Sequence, residues 1–164
     1  MTSQKDKLWF SEQVRPMLDT LYRVAYAVLQ NDADAQDAAQ DCVEQAFVSL
    51  DSLRDRSKFQ PWMIRILKNA CYRILRQKKR LIPFDDLPES GEEPFDALDL
   101  KAAFARLSPE SRLAVTLFYY EGYRITEIAA LLKEPEGTVK SRLSRARKAL
   151  RQDLTDHQEV SYAN

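Results

Sequence analysis

The chain has 164 residues, with 25 basic and 25 acidic side chains and 45% hydrophobic residues, enough for one packed core or two small ones. No apolar run reaches membrane-spanning length and no signal-peptide pattern opens the sequence, which disfavours membrane insertion and secretion. Cys42, Cys71 and His157 are the only soft metal ligands, too few for a zinc site without carboxylates, so no metal or cofactor is expected. Both cysteines fall on apolar helix faces and read as reduced core residues, which fits a cytoplasmic protein.

The zero net charge conceals segregation. Val24 to Leu53 holds six acids and no base, Arg54 to Arg80 ten bases against Asp55 alone, and Leu81 to Leu100 seven acids and no base. Blocks of alternating sign point to several partner surfaces.

The first predicted helix runs from about Trp9 to Leu29, with Val14, Leu18, Leu21, Ala25 and Val28 apolar; Pro16 marks either its true start or a kink. Asn31-Asp32 ends it and caps a second helix, Ala33 to Leu50, with Ala39, Cys42, Val43, Ala46 and Leu50 inward. Asp37, Asp41 and Glu44 stack on its outer face with Gln40 beside them. Such stacking is either a solvated face or one meant for cations. A third helix spans Pro61 to about Arg80, its start marked by Ser57 with Gln60 as a capping box or by Pro61 at the first helical position. Met63, Ile66, Leu67, Ala70 and Ile74 make its buried stripe, and Arg65, Lys68, Asn69, Tyr72 and Arg76 lie opposite. Cations alternating with an Asn and a Tyr suit a nucleic acid, although Lys78-Lys79-Arg80 also favour the helix dipole. Trp62 reads as a buried structural residue.

Residues 81–96 hold three of the seven prolines, Gly91 and six acids, the composition of an extended linker. Beyond it, Ser108-Pro109-Glu110 starts a helix and Gly122 stops it. Ile125 to Leu132 reads as a short amphipathic helix and Lys133-Glu134-Pro135-Glu136 as a break. The segment Glu136 to Arg151 then carries six Lys/Arg and no acid after Glu136. At about 3.6 residues per turn Val139, Leu143, Ala146 and Leu150 share the inner side, while Gly137, Ser141, Ser144, Arg145 and Lys148 point outward, flanked by Lys140, Arg147 and Arg151. Short helix, turn and basic helix is helix-turn-helix grammar, and the outward face suits a phosphate-lined groove; a solvated basic helix is the alternative.

Acidic helix, basic helix, acidic linker and basic helix-turn-helix in this order resemble the extracytoplasmic-function (ECF) group of bacterial sigma factors. The resemblance is carried by Asp34-Ala35-Gln36-Asp37-Ala38-Ala39-Gln40-Asp41, by Phe59-Gln60-Pro61-Trp62-Met63-Ile64-Arg65-Ile66-Leu67-Lys68-Asn69, and by Glu136-Gly137-Thr138-Val139-Lys140-Ser141-Arg142-Leu143 with Arg145 to Leu150. It implies an all-α chain of two small helical domains, a region 2-like domain over 1–80 and a region 4-like domain over 97–154, joined by the linker 81–96 and followed by a polar tail, 155–164.

The resemblance also implies a division of labour for a promoter-specificity factor that is not an enzyme. Asp37, Gln40, Asp41 and Glu44 match the surface for the clamp helices of the largest subunit of core RNA polymerase, whose flap is a further partner. The loop from Asp51 to Arg56 matches the one that accepts a flipped base of the −10 element. Ser52, Leu53, Arg54, Arg65, Lys68, Asn69 and Arg73 match positions toward that element, with Leu53 and Asn69 in the base pocket and Arg65, Lys68 and Arg73 on the melting backbone. Gly137, Thr138, Lys140, Ser141, Ser144, Arg145, Arg147, Lys148 and Arg151 match positions toward the −35 element. Among them Lys140, Ser141 and Arg145 read the major groove of promoter DNA, and Arg147, Lys148 and Arg151 hold phosphates. An anti-sigma factor is implied as a regulator.

The chain departs from the family pattern at the helix-turn-helix. Arg124 stands where a small polar N-cap is usual, with Thr126 two residues on; Lys133 replaces the common turn glycine, so it needs a positive φ, and Glu134 replaces an apolar residue. Val43 and Phe47 replace an aromatic pair. A conventional helix-turn-helix regulator that does not bind polymerase would explain the C-terminal third, but leaves Asp37, Gln40 and Asp41 without a task.

Overall fold

The computed structural model describes the backbone of residues 2–81 and 98–162 and the side chains of 2–79 and 100–151; the expected linker, 81–96, lies outside these residues except for Leu81. The described residues are helical without a strand, in two compact units, residues 1–81 and 82–164.

In the first unit α1 (Gln4–Val14) starts earlier than expected because Ser3 and Asp6 form a reciprocal capping box: Ser3 Oγ accepts from the Asp6 N–H at 3.2 Å, and Asp6 Oδ2 accepts from the Ser3 N–H at 3.1 Å. Pro16 lacks the amide proton that would continue the ladder, so the chain tightens into a 3-10 turn, Arg15–Met17, before α2 (Leu18–Leu29). α2 ends at Gln30, whose φ of 54° is left-handed; its amide donates to the Tyr26 carbonyl at 2.8 Å and its side chain to that of Ala27 at 3.0 Å. Asn31 then caps α3 (Asp32–Val48), its Oδ1 accepting from the Asp34 N–H at 2.9 Å.

The core of this unit lies between α2, α3 and α4 (Phe59–Leu81). α3 turns Ala35, Ala38, Cys42 and Ala46 inward, side chains small enough for close helix approach. Ala39 and Val43, expected inside, are half-buried. On α4 the buried set is Met63, Ile64, Leu67, Ala70 and Cys71, while Ile66 and Ile74 are half-buried. Because α4 packs against both α2 and α3, its buried stripe is turned toward Ile64 and Cys71. Both thiols are free and buried, and burial pushes each up to about 12. Aromatic edges fasten α1: Phe10 meets Phe47 at 5.5 Å and Phe59 at 5.9 Å, and Trp9 meets Phe59 at 5.3 Å. Trp62 is half-buried beside Phe59.

In the second unit α5 (Leu98–Arg106), α6 (Pro109–Val115) and α7 (Ile125–Leu132) all pack on α8 (Glu136–Tyr162). Ser108 caps α6 with Pro109 at its first position, as expected. α6 then widens into a π turn, Thr116–Tyr120, and stops at Gly122, whose φ of 72° suits a glycine. Leu113, Leu117, Ile128, Leu131, Val139, Leu143 and Ala146 form the core, with Leu150 half-buried. Arg112 is buried too, because its guanidinium donates to the carbonyls of Ala105, at 3.1 Å, and Leu107 at the end of α5. The backbone of α8 continues to Tyr162, through most of the expected tail, since no glycine or proline interrupts it.

Candidate nucleic-acid interface

α8 owes its direction to the turn before it. At the end of α7, Lys133 takes φ 54° and ψ 43°, the left-handed conformation foreseen for it. Its amide reaches the Ala130 carbonyl at 3.4 Å, and the Glu134 amide reaches that of Ala129 at 3.0 Å, a Schellman closure in which lysine occupies the place glycine favours. The Pro135 carbonyl then accepts from Thr138 at 3.0 Å and Val139 at 3.2 Å, starting α8. At the other end of α7 the Thr126 hydroxyl does not supply the cap; Glu127 reaches back to the Arg124 N–H at 2.9 Å.

With Val139, Leu143 and Ala146 buried, the opposite side of α8 is presented outward. Gly137, Lys140, Ser141, Ser144, Arg145, Arg147, Lys148 and Arg151 are exposed and Thr138 is half-buried. Six of these, Gly137, Thr138, Lys140, Ser141, Ser144 and Arg145, line one open hollow of about 830 Å³. A methyl added at Gly137 would meet nothing within 4 Å among the described residues beyond the helix's own start. Arg145 lies along the helix, its Nε donating to the Ser141 carbonyl at 3.3 Å, and Arg147 donates to the Tyr119 hydroxyl at 2.9 Å. Among the described residues Lys140, Arg145 and Lys148 have no acidic partner. Arg142 does have one: it donates to Glu134 at 2.7 Å.

On α4, Arg65, Asn69, Arg73 and Arg76 are exposed, and Lys68 is half-buried with its ammonium 6.0 Å from the centre of the Tyr72 ring. Arg73, expected on the DNA backbone, donates to Asp41 at 3.1 Å, and Lys78 pairs with Asp34. Two expected surfaces thereby touch, the acidic face of α3 and the basic face of α4. On α3, Asp37, Gln40 and Glu44 are exposed and Asp41 is half-buried, with Gln40 donating to Glu44 at 3.1 Å.

The loop between α3 and α4 holds two 3-10 turns, Leu50–Ser52 and Arg56–Lys58; Asp55 caps the second through the Ser57 amide at 3.0 Å, and the expected box from Ser57 to Gln60 is absent. Ser52 and Arg54 are exposed. Leu53 is half-buried and helps line a hollow of about 210 Å³ with Asp6, Trp9, Leu50, Asp51 and Arg56. Asn69 is outside that lining. Arg56 pairs with Asp6 while its guanidinium lies 4.3 Å over the Trp9 ring. Hydrogen bonds from Ser3, then from Arg56, hold the Asp6 carboxyl down at about 2. Arg56 belongs to the loop expected to accept the flipped base, whereas Asp6 and Trp9 were absent from the sequence-expected sites; the Ser3-Gln4-Lys5-Asp6 capping box was the legible sign that α1 begins early enough to reach this loop.

Among the described residues no cluster of His, Cys, Asp and Glu could hold a metal ion, and no helix is long and apolar enough to cross a membrane.

The profile of sigma-70 region 2 matches residues 13–81, and that of sigma-70 region 4 matches residues 97–150. The ECF RNA polymerase sigma factor SigW of Bacillus subtilis is 29% identical over 90% of this chain and 89% of its own length. SigM of Mycobacterium tuberculosis, also an ECF sigma factor, is 33% identical over 88% of this chain and 76% of its own length. Among solved structures, the sigma factor RpoE of Bartonella quintana, crystallised with the anti-sigma factor NepR, matches with a TM-score of 0.75 and 28% identity over 89% of this chain and 96% of that one. The chain therefore belongs to the sigma-70 family of RNA polymerase sigma factors, within its ECF group.

Proposed function

We propose that this sigma factor works through three surfaces on two domains, residues 1–80 and 97–154. Asp37, Gln40, Asp41 and Glu44 meet cations on the clamp helices of the largest subunit of core RNA polymerase, where opposite charge steers docking. Ser52, Leu53, Arg54, Arg65, Lys68, Asn69 and Arg73 engage the −10 element as it melts. Gly137, Thr138, Lys140, Ser141, Ser144, Arg145, Arg147, Lys148 and Arg151 engage the −35 element, and the second domain also meets the polymerase flap. The observation that carries this reading is the outward row on α8, in which small residues permit close approach and Lys140 and Arg145 keep donors for base edges.

The chain contributes binding energy to strand opening and does no covalent chemistry of its own. It acts in the cytoplasm, with the polymerase. An anti-sigma factor that covers the polymerase-binding surfaces controls it, a reading supported by the likeness to RpoE, which was crystallised with NepR.

Capture on immobilised core polymerase tests the reading. The parent chain is retained and Asp41→Lys is not. Failure of the parent to bind, with Asp41→Lys behaving like it, would favour a conventional helix-turn-helix regulator; equal retention of both would remove Asp41 from the polymerase-binding surface.

A further inference from the structure

The turn between α7 and α8 is held by its backbone and by the core behind it. The Schellman closure fixes the end of α7, the Pro135 carbonyl accepts from Thr138 and Val139 to start α8, and Val139 and Leu143 are buried in the same core as Ile128 and Leu131 of α7. One further contact spans the turn, between side chains. Arg142 Nη2 donates to Glu134 Oε1 at 2.7 Å, and the two side chains are only 17% and 25% exposed. Glu134 Oε2 and Arg142 Nε are shielded from solvent and have no other hydrogen-bond partner, so each charge depends on the other for compensation. Arg142 follows Ser141 by one residue, about a quarter turn around α8, and its guanidinium is directed to the turn, while Lys140 and Arg145 meet no carboxylate among the described residues.

We propose that Glu134 and Arg142 are a positioning pair: bridging the turn, they complete the restraint that the core and the turn backbone place on α8, and so refine the aim of Lys140, Ser141 and Arg145 at base edges. The proposal rests on the reading of α8 as the promoter-reading helix. A planar guanidinium suits the task because it fixes the angle of approach as well as the distance. Base discrimination depends on donor placement, whereas phosphate attraction tolerates displacement, so loss of the pair weakens recognition of the right sequence more than binding to any sequence.

The test uses the full chain reconstituted with core polymerase, which enriches duplexes from a randomised library. The enriched duplex and a scrambled one are then compared for the parent, Glu134→Gln, Arg142→Gln, the charge-swapped Glu134→Arg/Arg142→Glu, and Glu134→Gln/Lys133→Gly. Each single variant is expected to lower the ratio of specific to scrambled affinity by about tenfold, with scrambled binding within about twofold of the parent, and the swap is expected to regain about threefold. Lys133→Gly is expected to raise the melting temperature of Glu134→Gln without restoring the ratio. An unchanged ratio in both single variants overturns the proposal. Equal losses on both duplexes overturn it in favour of a phosphate contact by Arg142, and a ratio restored by Lys133→Gly overturns it in favour of stability alone. A parent that enriches no sequence refutes the promoter-reading role of α8 and the pair's role with it, a result distinct from the other three.

Discussion

α4 and α8 are both long, basic helices, yet they hold their charges differently. On α4, Arg73 is engaged by Asp41 and Lys78 by Asp34, both carboxylates of the neighbouring α3. On α8, Lys140, Arg145 and Lys148 meet no carboxylate among the described residues, and Arg142, which does, faces the turn. The number of cations on a helix is therefore a poor guide to the number available to a ligand. The Arg73–Asp41 pair is also more exposed: its side chains keep 50% and 40% of their surface, against 17% and 25% for Arg142 and Glu134. Exposed pairs exchange partners at little cost, so phosphate or a partner cation can compete for them, whereas a shielded pair serves geometry.

The strongest challenge to this contrast is Asp41→Lys, which removes the partner of Arg73 and reverses the charge offered to polymerase. Several kcal/mol of core affinity should be lost, measured by titration of labelled chain with core polymerase, because like charges are then juxtaposed. Next, Arg145→Ala should cost about 1–3 kcal/mol on the enriched duplex and relax preference at one base, while Arg151→Ala weakens enriched and scrambled duplexes alike; competition binding separates the two. Lys133→Gly should raise stability by about 1 kcal/mol in a thermal melt, since glycine takes the left-handed conformation without the strain a β-carbon brings. A double-mutant cycle on Asp41 and Arg73 should return no more than about 1 kcal/mol, as an exposed pair on α4 would. A coupling well above that would erase the distinction between the two helices.

The smallest effect concerns Asp6. Its folded pKa, about 2 against an ordinary 3.8, is depressed, so its stabilising contribution is complete above the ordinary value and disappears as pH falls through about 2. A carboxyl titration followed by NMR in the intact chain checks the midpoint.

Much of the architecture was legible in one sequence. Ser108-Pro109, Gly122 and Asn31 marked helix ends through local chemistry that tertiary contacts left intact. The left-handed Lys133 was legible only through the family resemblance, which puts a glycine at that turn. The inner and outer faces of α8 followed from periodicity, and Val139, Leu143 and Ala146 are indeed buried. Less legible was the rotation of α4, where Ile64 and Cys71 are buried and Ile66 and Ile74 half-buried. A helix with neighbours on two sides hides an arc that its own periodicity underdetermines. The hollow at Leu53 was half-legible: Asp51 and Leu53 are in the loop, but Asp6 and Trp9 come from α1, far away in sequence.

Local side-chain chemistry alone placed most of the helices, the caps at Asn31 and Ser108, the segregation of charge into α3, α4 and α8, and the family to which those blocks point. These are local properties, set by side-chain chemistry within a turn or two. Which groups meet is settled by packing between elements: Arg73 with Asp41, Lys78 with Asp34, Arg56 with Asp6 and the Trp9 ring, and Arg142 with Glu134 across the turn. Pairing depends on how neighbouring helices are rotated and how turns direct them, and side chains 8 to 50 residues apart carry no local signal of that geometry.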